Sequence, residues 1–116
     1  MKQFLIKKLI WMITSGEEKT KVWLKKQKIG DDVLLIVGGG EKNHIGAAIM
    51  CTPGGKTRVL KYGSHKDHIV LKSIAEKACE KYKRVVVAVG GIHIKNASEK
   101  EINQVVENCE RLEECI

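Results

Sequence analysis

Val33-Leu34-Leu35-Ile36-Val37 runs straight into Gly38-Gly39-Gly40-Glu41-Lys42-Asn43-His44-Ile45-Gly46-Ala47-Ala48, and this stretch decides the fold. Five apolar residues in a row, mostly branched, read as a strand buried on both faces and hence central in its sheet. Three glycines then permit a sharp turn and leave backbone amides uncovered by side chains. His44 stands at the tip of the turn, and a second strand, 45–51, leads away from it. A buried strand that carries glycines and an imidazole to a sheet rim is a candidate site.

Upstream, 4–13 and 19–29 read as two strands joined by the polar turn Thr14-Ser15-Gly16-Glu17-Glu18. In the second, Val22 and Leu24 alternate with Lys21, Trp23 and Lys25, the pattern of a strand partly open to water. Gly30-Asp31-Asp32 turns the chain into the central strand. Downstream, Thr52-Pro53-Gly54-Gly55-Lys56 makes a hairpin into a strand over 57–62. Ser64-His65-Lys66-Asp67 has the form of a helix start with Ser64 as N-cap. Leu71, Ile74, Ala75, Ala78, Cys79 and Tyr82 follow at helical spacing on one face. A second apolar strand, 85–89, ends at Gly90-Gly91. Ser98 and Glu101 form a capping box, and Ile102, Val105, Val106, Cys109 and Leu112 continue as an amphipathic helix. The order β-β-β-β-β-α-β-α predicts a single α+β domain over 1–116, a mainly antiparallel six-stranded sheet with two helices. Two helices cover one face of such a sheet. The first strand is apolar on both sides, with Phe4, Ile6, Ile10 and Met12 against Leu5, Leu9, Trp11 and Ile13, so a homodimer is expected.

The chain has 116 residues, 43% hydrophobic and 30% charged, which marks a globular domain large enough for a core. Cys51, Cys79, Cys109 and Cys115 form no CxxC pair and read as reduced thiols of a cytoplasmic protein. The run 4–13 is broken by Lys7-Lys8 and lacks a cleavage site, so neither a signal peptide nor a membrane span is expected. A net charge of +7 raises nucleic acid as a partner, but only Arg58, Arg84 and Arg111 among the basic residues are arginine. Phe4, Trp11, Trp23, Tyr62 and Tyr82 make no stacking platform by spacing. Lysines that solvate the surface explain the charge without nucleic acid.

Topology gathers the histidines. Hairpin-linked strands alternate in direction, so if 33–37 points to the top of the sheet, 45–51 runs down and 57–62 climbs. The helix returns the chain to the bottom and 85–89 climbs again, given an ordinary crossover. His44, His65 and His93 then lie at three strand ends on one rim, each beside glycine, and His68 is one helical turn from His65. Taken singly, His44 caps a turn, His65 and His68 are exposed helix-start residues, and His93 bonds a carbonyl. Taken together they suit a divalent ion such as zinc or iron, or neutral hydrogen bonds to a ring or phosphate. The glycine turns and the helix start at Ser64 offer amides to an anion. Neither turn is a P-loop or a GxGxxG fingerprint, and no serine or cysteine stands beside a histidine as a nucleophile would. Binding without chemistry is the expected role.

Gly38-Gly39 with His44-Ile45-Gly46-Ala47, then Ser64-His65-Lys66-Asp67, then Gly91-Ile92-His93 with Asn96-Ala97-Ser98, resemble the LpdD-like proteins, small accessory subunits of UbiD-type hydroxyarylic acid decarboxylases. The resemblance runs from about Asp32 to the second helix. It implies a chaperone that binds prenylated flavin mononucleotide (prenylated FMN) or FMN and helps load it into a UbiD-type decarboxylase. It also implies a fold similar to proteasome assembly chaperones, usually dimeric. On the matching positions it designates Gly38, Gly39, Gly40, His44, Gly46, Ser64, His65, Gly91, His93 and Asn96 as cofactor-binding candidates. His44, His65 and His93 are in addition metal candidates. The family pattern often has an acid where Lys95 stands, so a cation would lose a ligand here and a phosphate would gain a partner. A protein-interaction module of the assembly-chaperone type and a small metal protein are the alternative readings.

Overall fold

The two glycine-tipped apolar runs lie side by side at the centre of one sheet. The computed structural model describes residues 10–63 and 66–116. In chain order the elements are β1 (Ile10–Ser15), β2 (Val22–Ile29), β3 (Asp32–Gly39), β4 (Lys42–Cys51), β5 (Thr57–Lys61), α1 (Asp67–Tyr82), β6 (Val86–His93) and α2 (Glu99–Glu114). A short 3-10 turn, Glu18–Thr20, precedes β2, which therefore starts later than the sequence pattern suggests. The expected order of elements and the α+β class hold. The first nine residues lie outside the described part, including most of the apolar N-terminal run.

The strand order is β1-β2-β3-β6-β4-β5. β3 and β6 run parallel, from Val33 opposite Val86 to Val37 opposite Gly90, and every other pair is antiparallel. The parallel pair follows from α1, which carries the chain from the top of β5 back to the bottom before β6 climbs between β3 and β4.

Both helices lie on one face. Val22, Leu24, Leu35, Ile49, Val86 and Ala88 point to that side and pack beneath Leu71, Ile74 and Ala78 of α1 and Cys109 and Leu112 of α2. The central strand is consequently buried on one face only. Leu34 and Ile36 alternate with the core residues and stay half-buried, as do Val87 and Val89 beside them on β6. The five-residue apolar run reflects a helix-covered face and an apolar open face, and it does not mark burial on both. Met12, Met50 and Leu60 continue the open face toward both edges, and all three are exposed.

Two polar ties fix the helices. Asn108, fully buried, donates through Nδ2 to the Thr20 carbonyl at 2.9 Å and accepts from Gln104 Nε2 at 3.1 Å, which anchors α2 to the β1–β2 connection. Lys26 Nζ donates to the Tyr82 hydroxyl at 3.1 Å and stands 4.2 Å from its ring centre, so this lysine pins the end of α1 and is more than a solvated charge. Helix α2 opens on the expected capping box, with Glu101 N–H donating to Ser98 Oγ and Ser98 N–H donating to Glu101 Oε1. Helix α1 opens differently. Its N-cap position is Lys66, without a side-chain cap, and the Ser64 expected to cap it lies outside the described residues. Cys51, Cys79 and Cys109 are buried and Cys115 is exposed, all four as free thiols. Among the described residues no helix is long and apolar enough to cross a membrane.

Candidate functional site

The sequence places the turn after residue 37, yet β3 continues through Gly38 and Gly39, and the chain reverses only at Gly40-Glu41. Glycine is required for close approach. A Cβ on Gly39 would lie 2.4 Å from the Lys21 carbonyl, and one on Gly40 would lie 2.4 Å from the His93 carbonyl, both at positive φ. The amides here are already engaged. Gly40 N–H donates to the Lys21 carbonyl, Glu41 N–H to the His93 carbonyl, and Gly39 N–H to Asn43 Oδ1. Asn43 Oδ1 also receives the Trp23 indole N–H at 3.2 Å. The turn thus spends these donors on its own structure and keeps few for a ligand.

β6 likewise runs through Gly90 and Gly91 to His93, where the sequence pattern ends it at the glycines. Gly90, at φ +138°, would bring a Cβ within 1.8 Å of the Val37 carbonyl, so only glycine lets the two central strands stay paired here.

His44 is three residues inside β4, away from the turn's tip. The β4–β6 register slips between Asn43, opposite Ile92, and Ala47, opposite Gly90. This bulge re-aims His44 toward the helix-covered side, where α1 begins. There Nε2 of His44 lies 3.2 Å from Oδ2 of Asp67, whose side chain is only 10% exposed. The other carboxylate oxygen, Oδ1, accepts the Ile92 N–H at 2.9 Å. His93 meets His44 edge to face, with ring centres 5.8 Å apart and planes at 70°. Gly46 and Gly91 form the bare floor of this corner. A Cβ on Gly46 would come within 2.2 Å of Asp67 Oδ2, and one on Gly91 within 2.8 Å of His44 Nε2.

His44, Gly46, Gly91 and His93 therefore come together, and Asp67 joins them. Gly38, Gly39 and Gly40 brace the corner from the β2 side. Asn96 adopts a left-handed conformation (φ +52°) in the β6–α2 connection, beside Lys95, whose N–H donates to Glu41 Oε1. Ser64 and His65 lie outside the described residues. His68 follows Asp67 on α1, with its Nδ1 enclosed and without a hydrogen bond among the described residues. Among the described residues no three acidic, cysteine or histidine side chains are arranged to hold a metal ion. Burial pushes the Cys109 thiol up to about 12 and raises Cys79, where the neighbouring Cys51 adds to the effect. Both therefore stay protonated and poorly nucleophilic near neutral pH.

Asp67 is the residue that the sequence reading underrated. An acid at a helix start is ordinary, because the helix dipole favours it there. The usable signal was the pair Gly46 and Gly91, two bare positions on neighbouring strands that leave room for a carboxylate.

Beside the corner lies a groove of about 460 Å³ between α1 and α2. Asp67 and His93 form its polar end, next to Lys66, and Ile69, Ile102 and Val106 belong to its apolar wall. The helical pattern placed Ile102 and Val106 with Val105, Cys109 and Leu112 in one amphipathic helix. Ile102 and Val106 are 52% and 39% exposed, because the core contact of α2 runs through Val105, Cys109 and Leu112.

A family model described as a prenylated flavin chaperone LpdD-like domain matches residues 16–116. Among solved structures, the fold is similar to a chain from a chaperone complex for yeast 20S proteasome assembly, with 13% identity and a TM-score of 0.55. That match covers 92% of this chain and 97% of the other. A comparison with curated protein sequences found no match.

Proposed function

This chain belongs to the prenylated flavin chaperone LpdD-like family, and on that premise we propose that it is a non-catalytic carrier of prenylated FMN serving a UbiD-type decarboxylase. The observation that carries the proposal is the corner itself. Two imidazoles meet a nine-tenths-buried carboxylate on a glycine floor, beside an apolar groove. The residues present fit such a cofactor. His93, at the end of the groove, offers an imidazole to the heteroatoms of a flavin ring, the enclosed His44 Nε2 and Asp67 Oδ2 back it from behind, and the groove offers the flavin body an apolar wall. Lys42, opposite His93 in the sheet, joins Lys66 and Lys95 in giving this end of the molecule positive charge for a phosphate. When bound, the cofactor brings its own chemistry, and the role of this chain is to hold and release it.

The carrier is proposed to be a homodimer formed through the open face of the sheet. Leu34, Ile36, Val87 and Val89 are apolar there, no described element covers them, and the flanking Met12, Met50 and Leu60 enlarge the patch. The same face favours the second reading, a protein-interaction module of the assembly-chaperone type. One experiment separates the two. Purified protein is titrated anaerobically with reduced prenylated FMN and with FMN, following flavin fluorescence and the thermal shift. A carrier binds, and His44→Ala and His93→Ala each weaken binding by about 1–3 kcal/mol through a lost buried hydrogen bond. A protein that binds neither flavin is an interaction module only. Metal analysis before and after chelation tests the metal role of His44, His65 and His93 in the same preparation.

A further inference from the structure

We propose that the groove between α1 and α2 is the subsite for the hydrocarbon-bearing part of the flavin, with the ring's polar edge turned to His93; this rests on the carrier reading. Three observations carry it.

First, the groove and the histidine corner are one continuous surface, because Asp67 and His93 belong to both. A ligand that touches the imidazoles has its next contacts in the groove. At about 460 Å³ it falls within the roughly 300–1,000 Å³ of small-molecule sites. Second, its wall is apolar where the fold does not require it. Ile69 is 57% exposed, Ile102 52% and Val106 39%, so these side chains contribute little to the core. Three branched aliphatic residues facing water on two different helices, converging on one groove, mark a surface for an apolar occupant. A prenyl group is a branched hydrocarbon, and plain FMN lacks it. Third, the competing holder is spent. The amides of Gly39, Gly40 and Glu41 are bonded internally, which leaves Lys66, at the polar end of the groove, as the nearer partner for the phosphate. A second copy of the chain is better served by the open sheet face, which lies on the opposite side and runs from Met12 to Leu60.

The groove thus distinguishes the prenylated cofactor from its precursor. Hydrogen bonds at the corner are common to both flavins, whereas apolar contact with Ile102 and Val106 rewards the extra hydrocarbon on top of the dimethylbenzene edge that both carry. The chaperone would then hold the finished cofactor in preference to FMN.

The test uses the full chain and the double variant Ile102→Gln/Val106→Gln, with His93→Ala beside it. Because both positions are substantially exposed, the double variant should melt with the parent. Its affinity for prenylated FMN should fall about tenfold or more, the loss expected when a few CH₂-sized contacts go, while its affinity for FMN changes much less. Unchanged affinity for prenylated FMN in the double variant, with weakened binding in His93→Ala, overturns the groove assignment and leaves the carrier reading standing. Failure of the parent to bind either flavin overturns the carrier reading itself. Loss of the dimer in the double variant, with flavin binding unaltered, would make the groove a contact between copies and would also overturn the proposal.

Discussion

Replacing Asp67 by alanine should uncouple the helix start from both strands that it touches. Its Oδ1 is the acceptor for the Ile92 N–H at 2.9 Å, and its Oδ2 lies 3.2 Å from His44 Nε2. The side chain is nine-tenths buried, so water does not readily take over either contact. Leaving the Ile92 amide without its acceptor costs about 1–3 kcal/mol, with the upper half of that span apt for a charged acceptor. About 2 kcal/mol in a domain of this size lowers Tm by roughly 10 °C. Asp67→Asn keeps an oxygen for Ile92 and should melt much closer to the parent. It removes the negative charge facing His44, so its flavin binding should nonetheless weaken. Thermal melts by circular dichroism and flavin titrations of both variants make the comparison. A double-mutant cycle with His44→Ala should show a coupling of at least about 0.5 kcal/mol, because the two side chains share one contact. An Asp67→Ala protein that melts with the parent would refute the role given to this carboxylate.

Gly91→Ala should displace the His44 ring, since the new Cβ would stand 2.8 Å from Nε2 and 3.0 Å from Asp67 Oδ2. The expected outcome is weaker flavin binding with a modest fall in Tm, and parental binding would show that the corner has slack. Glu101 is held down to about 2, chiefly by its hydrogen bond with Lys19 and by the Ser98 amide. A depressed carboxyl stabilises the fold above its ordinary value, so this contribution fades as pH drops from 4.5 toward about 2. Melts across that interval should fall more steeply for the parent than for Glu101→Gln, and parallel curves would contradict the assignment. Val89→Lys puts a charge into the middle of the open face beside Ile36 and Ala48. It should leave the chain monomeric in sedimentation at micromolar concentration while the parent is a dimer; a monomeric parent would remove the dimer from the account.

The elements and their order were legible because turns and apolar runs carry them. Two branched runs each ending in glycines gave the central strands, and the capping box at Ser98 and Glu101 gave the start of α2. That β3 and β6 point the same way also followed, since α1 returns the chain before β6 climbs, but direction alone does not fix which strands are neighbours, so their pairing did not. What the residues concealed has physical reasons. A continuous apolar run does not say whether its second face is covered by a helix or kept apolar for another purpose. Glycine reads as a strand end, yet at Gly90 it is what allows β6 to stay paired with β3, and at Gly91 it leaves room for the His44 and Asp67 side chains. Local spacing cannot foresee a bulge, so His44 was expected at the tip and instead is swung to the helix side from within β4. Helical periodicity grouped Ile102 and Val106 with the other apolar residues of α2, but the packing of α2 is narrower than its apolar stripe. Lys26 looked like one more surface charge until the fold set Tyr82 above it.

The most direct test of the carrier account is transfer. The chain is loaded anaerobically with reduced prenylated FMN, freed of excess by gel filtration, and mixed with a UbiD-type decarboxylase that lacks cofactor; decarboxylase activity is then followed over time. The account predicts that the loaded chain restores activity, that it does so faster than the same amount of free cofactor, and that chains carrying His44→Ala or His93→Ala load and deliver less. A chain that emerges from gel filtration without cofactor, or one that holds it and confers no activity, would contradict it.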